Sequence, residues 1–401
     1  MITTLTFNKK LPADPALFLD MEKASERIVR AVTANEKIGI FGDYDVDGAT
    51  SSALLKKFFM MAGSDNVEIY IPDRVSEGYG PNKEAFIKFK NEGAGIVITV
   101  DCGTLAFEAI EEANKVNLDV IVVDHHIATE KIAPAYAVIN PNRIDDDVPH
   151  KNLAAVGMSF MLAVSINRLL RNTGYYKSKG IDEPNLINLL DLVALGTICD
   201  VMPLTGINRA FVSQGLKIIS KRTNIGLAQL SDTASITEQI GVYHCGFILG
   251  PRINAGGRVG KSSLGANLLS NEDTEEVKSI ATELEKLNSE RRALEAMMLE
   301  DAMKQAEEQK NEPIIIAKSE GWHQGIIGII CSRIKDAYRK PTIVLSIENG
   351  IGKASARSIK NIDIGSVITQ AKSDGLVING GGHAMAAGFT ISESKINELK
   401  K

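Results

Sequence analysis

The sequence predicts an α/β protein: a domain built on a parallel sheet, joined by a long helix to a smaller α/β domain, with a cleft between the two. Three observations lead there. Between residues 37 and about 140, β-branched apolar runs alternate with amphipathic segments, the pattern of βαβ units. From roughly 273 to 310, apolar residues keep helical spacing amid dense charge, without a proline or glycine. After that stretch the alternation of strand and helix restarts.

Taken in order, the strands of the first half are KIGIF, VEIYI, GIVITV, DVIVV and AYAVIN, and SSALLKKFFMMAG, NKEAFIKFK and TLAFEAIEEANKV between them carry helical periodicity. Residues 157–222 read as mostly helical and are expected to pack on the sheet. The expected division is a first domain over 1–222, a connecting region over 223–311 that ends in the long, exposed helix, and a second domain over 312–401. In the second domain EPIIIAKSEGW and PTIVLSI read as strands, GIIGIICSRIKDAYRK and SVITQAKSDG as helices. No internal repeat is present, so the two halves differ in kind.

The 401 residues are 44% hydrophobic and 24% charged, enough for two or three cores. The opening MITTLTFNKKLPADP lacks a basic region followed by an apolar stretch, and no apolar run reaches ~18 residues, so neither export nor a membrane is expected and the compartment is the cytoplasm. Cys102, Cys199, Cys245 and Cys331 are far apart and form no CxxC pair, which excludes a disulfide framework and reads as small buried residues. The formal net charge of −5 leaves a nucleic-acid partner undecided, since a basic groove can sit on an acidic body.

The chemistry concentrates at strand ends. GDYDVDG follows KIGIF, so Asp43, Asp45 and Asp47 fall at the carboxyl end of a parallel strand, where open α/β sheets place their ligand crevice. If the strand continues, alternation puts them on one side, and a divalent cation would offset their repulsion. GIVITV runs into Asp101, and DVIVV runs into Asp124, His125 and His126. Asp200 closes the apolar run LDLVALGTIC. Carboxylates with imidazole suit manganese or magnesium better than zinc, and this many ligands implies two cations. Such a pair activates water for attack on phosphorus, so phosphoester hydrolysis is the expected reaction. A calcium loop would need Glu at its twelfth position, where Leu54 stands.

These residues resemble the DHH phosphoesterase superfamily, whose namesake motif stands here as Asp124, His125 and His126. GDYDVDGAT, TVDCGT, VVDHH and VALGTICDVMPL are similar to its four motifs, in order. LPADPALFLDMEKASERIVRAV, PRINAGGRVG and GWHQGIIGIICSRI are similar to segments of its bacterial single-strand-specific exonucleases. The resemblance implies a DHH catalytic domain joined by the long helix to a DHH-associated domain. It implies Asp45, Asp47, Asp101, His125 and Asp200 as metal ligands, with Asp101 as the bridge. Several relatives begin the first motif with a histidine where Phe41 stands, a place for which Asp43 compensates as a further ligand. His126 is expected to face substrate phosphate, and Asp124 to orient His125.

PRINAGGRVGKSS is not a Walker loop, because Ala255 stands where that motif requires glycine. Arg252, Asn254 and Arg258 read instead as contacts to a phosphate or the nucleotide beside it, against the alternative of a structural arginine turn. GKASARSI offers Lys353, Ser355, Arg357 and Ser358, and Gly380, Gly381 and Gly382 before His383 read as a loop whose N–H groups cradle phosphate. The resemblance identifies this run with the substrate-binding motif of the associated domain. His323 and Arg333 divide evenly between structural and nucleic-acid roles. Aromatic residues are 5% of the chain, so no stacking platform is visible and binding is expected to rest on phosphate contacts.

The function so implied is hydrolysis of single-stranded DNA or short oligonucleotides from the end, 5′ to 3′, releasing mononucleotides in repair or recombination. Two divalent cations, manganese preferred and magnesium the alternative, are the expected cofactors. The chain stops at Lys401, where the bacterial exonucleases continue into an oligonucleotide-binding barrel. Hence the rival expectations of an oligoribonuclease or nucleotide phosphatase, and of a single-strand-binding protein or other partner replacing the barrel. A non-catalytic replication or repair subunit should have lost the motif acids, and here all are present.

Overall fold

The computed structural model describes residues 14–74 and 76–399. Most of the opening segment, on which the expectation of no export signal rests, lies outside them. Among the described residues no helix is long and apolar enough to cross a membrane. The chain divides into two compact units, at Leu287 and Asn288, within the helix Thr274–Glu308.

The first unit is built on strands β1 (Lys37–Gly42), β2 (Val67–Tyr70), β3 (Ala94–Val100), β4 (Asp119–Val123) and β5 (Ala137–Ile139). They form one parallel sheet in the order β2-β1-β3-β4-β5. The strands β1, β3, β4 and β5 are apolar runs because both faces are covered, whereas the edge strand β2 is only half-buried. Ile38, Ile40, Ile96, Ile98, Val100, Ile121 and Val123 enter a core shared with the helices Met21–Ala34, Val46–Met61, Ala155–Asn172 and Leu190–Cys199. Phe41, Val97, Val120 and Val122 point the other way, into a smaller core with Lys83–Asn91 and Phe107–Lys115. The strand order reverses between β1 and β3, and the crevice of such a sheet opens at the carboxyl ends there.

Residues 223–287 were expected as connector, yet they contribute Leu227, Leu230, Cys245, Leu249, Ile253, Leu264 and Leu284 to the larger core. The long helix is likewise not simply exposed: Val277, Ala281 and Leu284 are buried in the first unit, and Ala302 and Ala306 are buried farther on. PRINAGGRVG is neither loop nor turn but part of the helix Gly250–Val259, entered through a π-helical turn over Cys245–Leu249.

The second unit carries β6 (Ile315–Glu320), β7 (Thr342–Glu348), β8 (Ile351–Arg357), β9 (Asn379–His383) and β10 (Ala386–Ser392), in the order β6-β7-β8-β10-β9. Only β6 and β7 pair in parallel; β8, β9 and β10 join antiparallel. The last three carry so much glycine, alanine and serine that they lack the β-branched signature of a strand. The glycine run is therefore an edge strand rather than a phosphate loop, and alternation gives its members different tasks. A Cβ on Gly380 would lie 2.6 Å from the Phe389 Cβ, and one on Gly382 2.3 Å from the Ala386 carbonyl oxygen, whereas Gly381 faces open space.

Candidate metal centre

In the parallel sheet Gly42, Val100, Val123 and Ile139 stand in register. The next residue of each of the first three strands is an aspartate, and its N–H continues the ladder by one rung. Asp43 donates to the Val100 carbonyl (3.2 Å), Asp101 to Val123 (3.0 Å) and Asp124 to Ile139 (3.1 Å). Three acids are thereby aligned along one edge by backbone pairing alone. The fourth strand end carries Asn140, which the sequence reading missed although AYAVIN places it as DVIVV places Asp124. Asn140 donates to the His126 carbonyl and to Thr104 Oγ1, each at 2.8 Å, and so pins the histidine turn.

Strand alternation does not bring Asp43, Asp45 and Asp47 together, because β1 ends at Gly42. Asp45 is instead the N-cap of Val46–Met61, accepting from the N–H groups of Asp47 and Gly48 at 2.9 and 3.1 Å, and Asp47 lies in the first turn. Gly48 permits the turn: a Cβ there would lie 2.3 Å from the Asp43 carbonyl oxygen. Asp47 is held from both sides, accepting from Ala155 N–H (2.7 Å) and Val156 N–H (2.9 Å) at the start of another helix.

Asp200 arrives as the C-cap of the buried helix Leu190–Cys199. Gly196 lets that helix approach, since its Cβ would lie 2.4 Å from Thr50 Oγ1 and 3.0 Å from Asp47 Oδ1. His125 Nε2 completes the cluster at 3.2 Å from Asp101 Oδ1, 3.6 Å from Asp200 Oδ2 and 3.8 Å from Asp47 Oδ2. Ligand atoms of Asp47, His125 and Asp200 lie within 4.8 Å of one another, as do those of Asp43, Asp45 and Asp101, and those of Asp101, His125 and His126. Asp101 falls in one group with Asp43 and Asp45 and in another with His125 and His126. Its backbone φ of 61° is left-handed, a strain that recurs at functional sites.

Burial first, then the neighbouring acids, pushes Asp43, Asp47 and Asp101 well above the usual carboxylate range and Asp200 to about 7. Asp43 Oδ1, Asp101 Oδ1 and Asp200 Oδ2 are buried without a hydrogen-bond partner. Acceptors of that kind, next to an imidazole that burial and the charge of His126 lower to about 4, form a donor set suited to hard divalent cations.

Asp124 does not orient the His125 ring. Its Oδ1 accepts from the His125 and His126 N–H groups and faces His126 Nδ1 at 2.7 Å, while Oδ2 accepts from Thr104 N–H. Burial opposes the charge of His126, but the hydrogen bond and charge of Asp124 prevail and raise it to about 9. The half-exposed His126 is therefore a cation, suited to a phosphate oxygen. Tyr79, also absent from the sequence reading, places its hydroxyl 3.3 Å from the Asp101 carbonyl oxygen and 3.4 Å from His126 Nε2.

Arg252 is engaged inside the first unit, in an ion pair with Glu285 and a hydrogen bond to the Ile248 carbonyl (2.8 Å). Asn254 is half-buried on the same helix, and Gly257 brings that helix against Tyr44, where the charge of Arg258 acts on the phenol. In the second unit the ladder sets Arg357 level with Ala386 and His383, and Ser355 level with Gly388 and Gly381. Arg357 Nη1 donates to Ser355 Oγ at 3.0 Å, and Ser358, facing inward, donates to the Ile362 carbonyl. Lys353 bonds to Thr390, and Arg333 pairs with Glu295. Cys102, Cys245 and Cys331 are buried and Cys199 is partly so; all four are free thiols.

Carboxylates and a neutral imidazole gathered at the carboxyl edge of a doubly covered parallel sheet define a metal-dependent hydrolase of the α/β class. The chain belongs to the DHH family: residues 37–197 match the DHH family, N-terminal domain, and residues 311–401 the DHHA1 domain. It is 36% identical to the single-stranded-DNA-specific exonuclease RecJ of Dickeya dadantii, over 97% of this chain and 69% of that protein. It is 35% identical to RecJ of Bacillus subtilis, over 96% of this chain and 48% of that protein. A crystal structure of exonuclease RecJ bound to manganese superposes with a TM-score of 0.80 at 30% identity, covering 95% and 93% of the two chains. RecJ from Thermus thermophilus in complex with Mn2+ gives 0.80 at 29% identity, covering 95% of this chain and 54% of that one.

Proposed function

We propose that the chain is a metal-dependent exonuclease that hydrolyses phosphodiester bonds of single-stranded DNA from an end and releases mononucleotides. The observation that carries the reading is the set of buried, unpartnered oxygens on Asp43, Asp101 and Asp200 around a neutral His125. Asp47, His125 and Asp200 would hold one cation, and Asp43, Asp45 and Asp101 a second, with Asp101 between them. Manganese is the preferred ion and magnesium the alternative, in keeping with solved RecJ structures that hold either. When bound, such a pair supplies activation of a water for attack on phosphorus and charge to balance the leaving oxygen.

The protein's own groups do the positioning. Asp47, tied to two N–H groups at a helix start, cannot swing away from the site. Asp124 keeps His126 protonated, and that imidazolium meets a phosphate oxygen of the substrate. In the second unit, Arg357, Ser355 and His383 around the open Gly381 offer a surface for a phosphate of the strand. The choice of single-stranded DNA is supported by the names of the relatives, and the 5′ to 3′ direction rests on the family resemblance of the sequence motifs alone.

The test uses purified protein with Mn2+ on end-labelled single-stranded DNA, duplex DNA and RNA dinucleotides. Progressive release of mononucleotides from the single strand is expected, with Asp101→Ala at least about 100-fold slower. Undiminished Asp101→Ala activity would remove the metal assignment, and cleavage of dinucleotides alone would remove the exonuclease reading.

A further inference from the structure

The sequence offers no aromatic platform, yet folding brings two exposed rings together. Tyr243 and Phe247 lie four residues apart on consecutive helical turns, and their rings stack with centroids 5.4 Å apart and planes within 23°. Tyr243 is 64% exposed and Phe247 72%, so two large rings lie side by side in water and present a continuous π surface.

The segment that bears them is firmly fixed. His244 Nδ1 accepts from Gly241 N–H at 3.1 Å, and its Nε2 faces Glu238 at 2.7 Å. Arg252 donates to the Ile248 carbonyl within the π-helical turn, a conformation frequent at functional sites. One side of the turn packs on the end of Leu190–Cys199. A Cβ on Gly246 would lie 3.5 Å from Ile198 Cγ2, and one on Gly250 2.6 Å from Cys199 Sγ. Asp200 is the next residue, followed by Val201, 85% exposed and held at a φ of 56°, which a β-branched side chain rarely adopts. At its far end the segment runs into Gly250–Val259, whose Gly257 meets Tyr44 between Asp43 and Asp45. The aromatic pair thus stands on a segment that runs from beside Asp200 to the helix packed on Tyr44.

We propose that Tyr243 and Phe247 form a stacking platform for the bases of the single strand next to the nucleotide being hydrolysed. This deepens the exonuclease reading and rests on it. Every base presents a π face, so the platform holds the strand without regard to sequence. Continuity with Asp200 and with the helix of Arg252 and Arg258 favours a strand that ends at the metal centre over a protein partner.

The test compares wild type with Tyr243→Ala, Phe247→Ala, the double variant and the conservative Phe247→Tyr. Binding of a fluorescent oligo-dT 12-mer is followed by anisotropy in EDTA, beside a 12-mer whose sugars lack bases, with melting temperatures to verify folding. Each alanine variant is expected to bind oligo-dT about ten-fold or more weaker, Phe247→Tyr to restore binding, and the abasic strand to bind all forms alike. With Mn2+, the rise in KM should be about ten-fold larger on the 12-mer than on a dinucleotide. If wild type degrades the 12-mer but the folded double variant binds it equally well, the platform is overturned while the exonuclease reading stands. A change in oligomeric state in place of DNA affinity would identify the pair as a protein interface and overturn it too. A wild type that neither binds nor degrades single strands would instead remove the exonuclease reading itself.

Discussion

Asp43, Asp47, Asp101 and Asp200 lie close enough that ionising all of them without a counter-ion costs several kcal/mol, since two unit charges at 4 Å interact by about 4 kcal/mol at an effective dielectric near 20. Burial and mutual repulsion raise each, Asp200 to about 7. As pH climbs past about 3.9 the unfolded chain ionises first while the folded site keeps its protons, so stability falls until the folded values are passed and then levels off. Cations displace those protons, so their stabilising effect grows over the same window. The rise in melting temperature that Mn2+ gives to metal-stripped protein should therefore be several degrees larger at pH 8 than at pH 6. Equal shifts at the two values would contradict this account. A second residue-level outcome concerns Asp124, which holds the proton on His126. Asp124→Asn should bring the His126 pKa down from about 9 towards ~6.5, read by NMR titration, and slow hydrolysis about 10- to 100-fold.

Among elements, the outcome is set by where small residues let chain segments meet. Register alone aligns Asp43, Asp101 and Asp124, but Asp200 reaches them only because Gly196 carries no Cβ towards Thr50 and Asp47. Gly196→Ala should cost about 1–3 kcal/mol in urea unfolding and weaken Mn2+ binding measured by calorimetry. In the second unit the glycine strand makes a sharper contrast, since a Cβ on Gly382 would strike the neighbouring strand at Ala386 and Ala387 while one on Gly381 would face open space. Gly382→Ala should likewise destabilise by about 1–3 kcal/mol, while Gly381→Ala changes stability by less than about 0.5 kcal/mol. Equal effects at the two positions would contradict the assignment of faces. The strands β8 to β10 escaped the sequence reading because alanine, glycine and serine carry no apolar alternation, whereas β1 to β5 were legible as β-branched runs, buried on both faces except at the edge strand β2.

At the scale of the whole molecule, the two units have separate cores, one around the parallel sheet and one around the mixed sheet. The candidate metal ligands all belong to the first. In scanning calorimetry, Mn2+ should raise the transition of the first unit and leave the second where it is, and Asp101→Ala should abolish that rise. The sequence by itself determined the order of strands and helices around the parallel sheet, the acids at its strand ends and the family, because a buried parallel sheet and a ligand-bearing strand end are local patterns. It also supplied Asp43 as a further candidate ligand, which the structure brings within 4.8 Å of the ligand atoms of Asp45 and Asp101. Only the tertiary structure decided that Asp124 faces the ring of His126 rather than that of His125, that Asn140 and Tyr79 brace the site, and that Tyr243 and Phe247 meet in the open. Those outcomes depend on which side chains from distant segments arrive at one point, and strand register, helix approach and backbone hydrogen bonding fix that together.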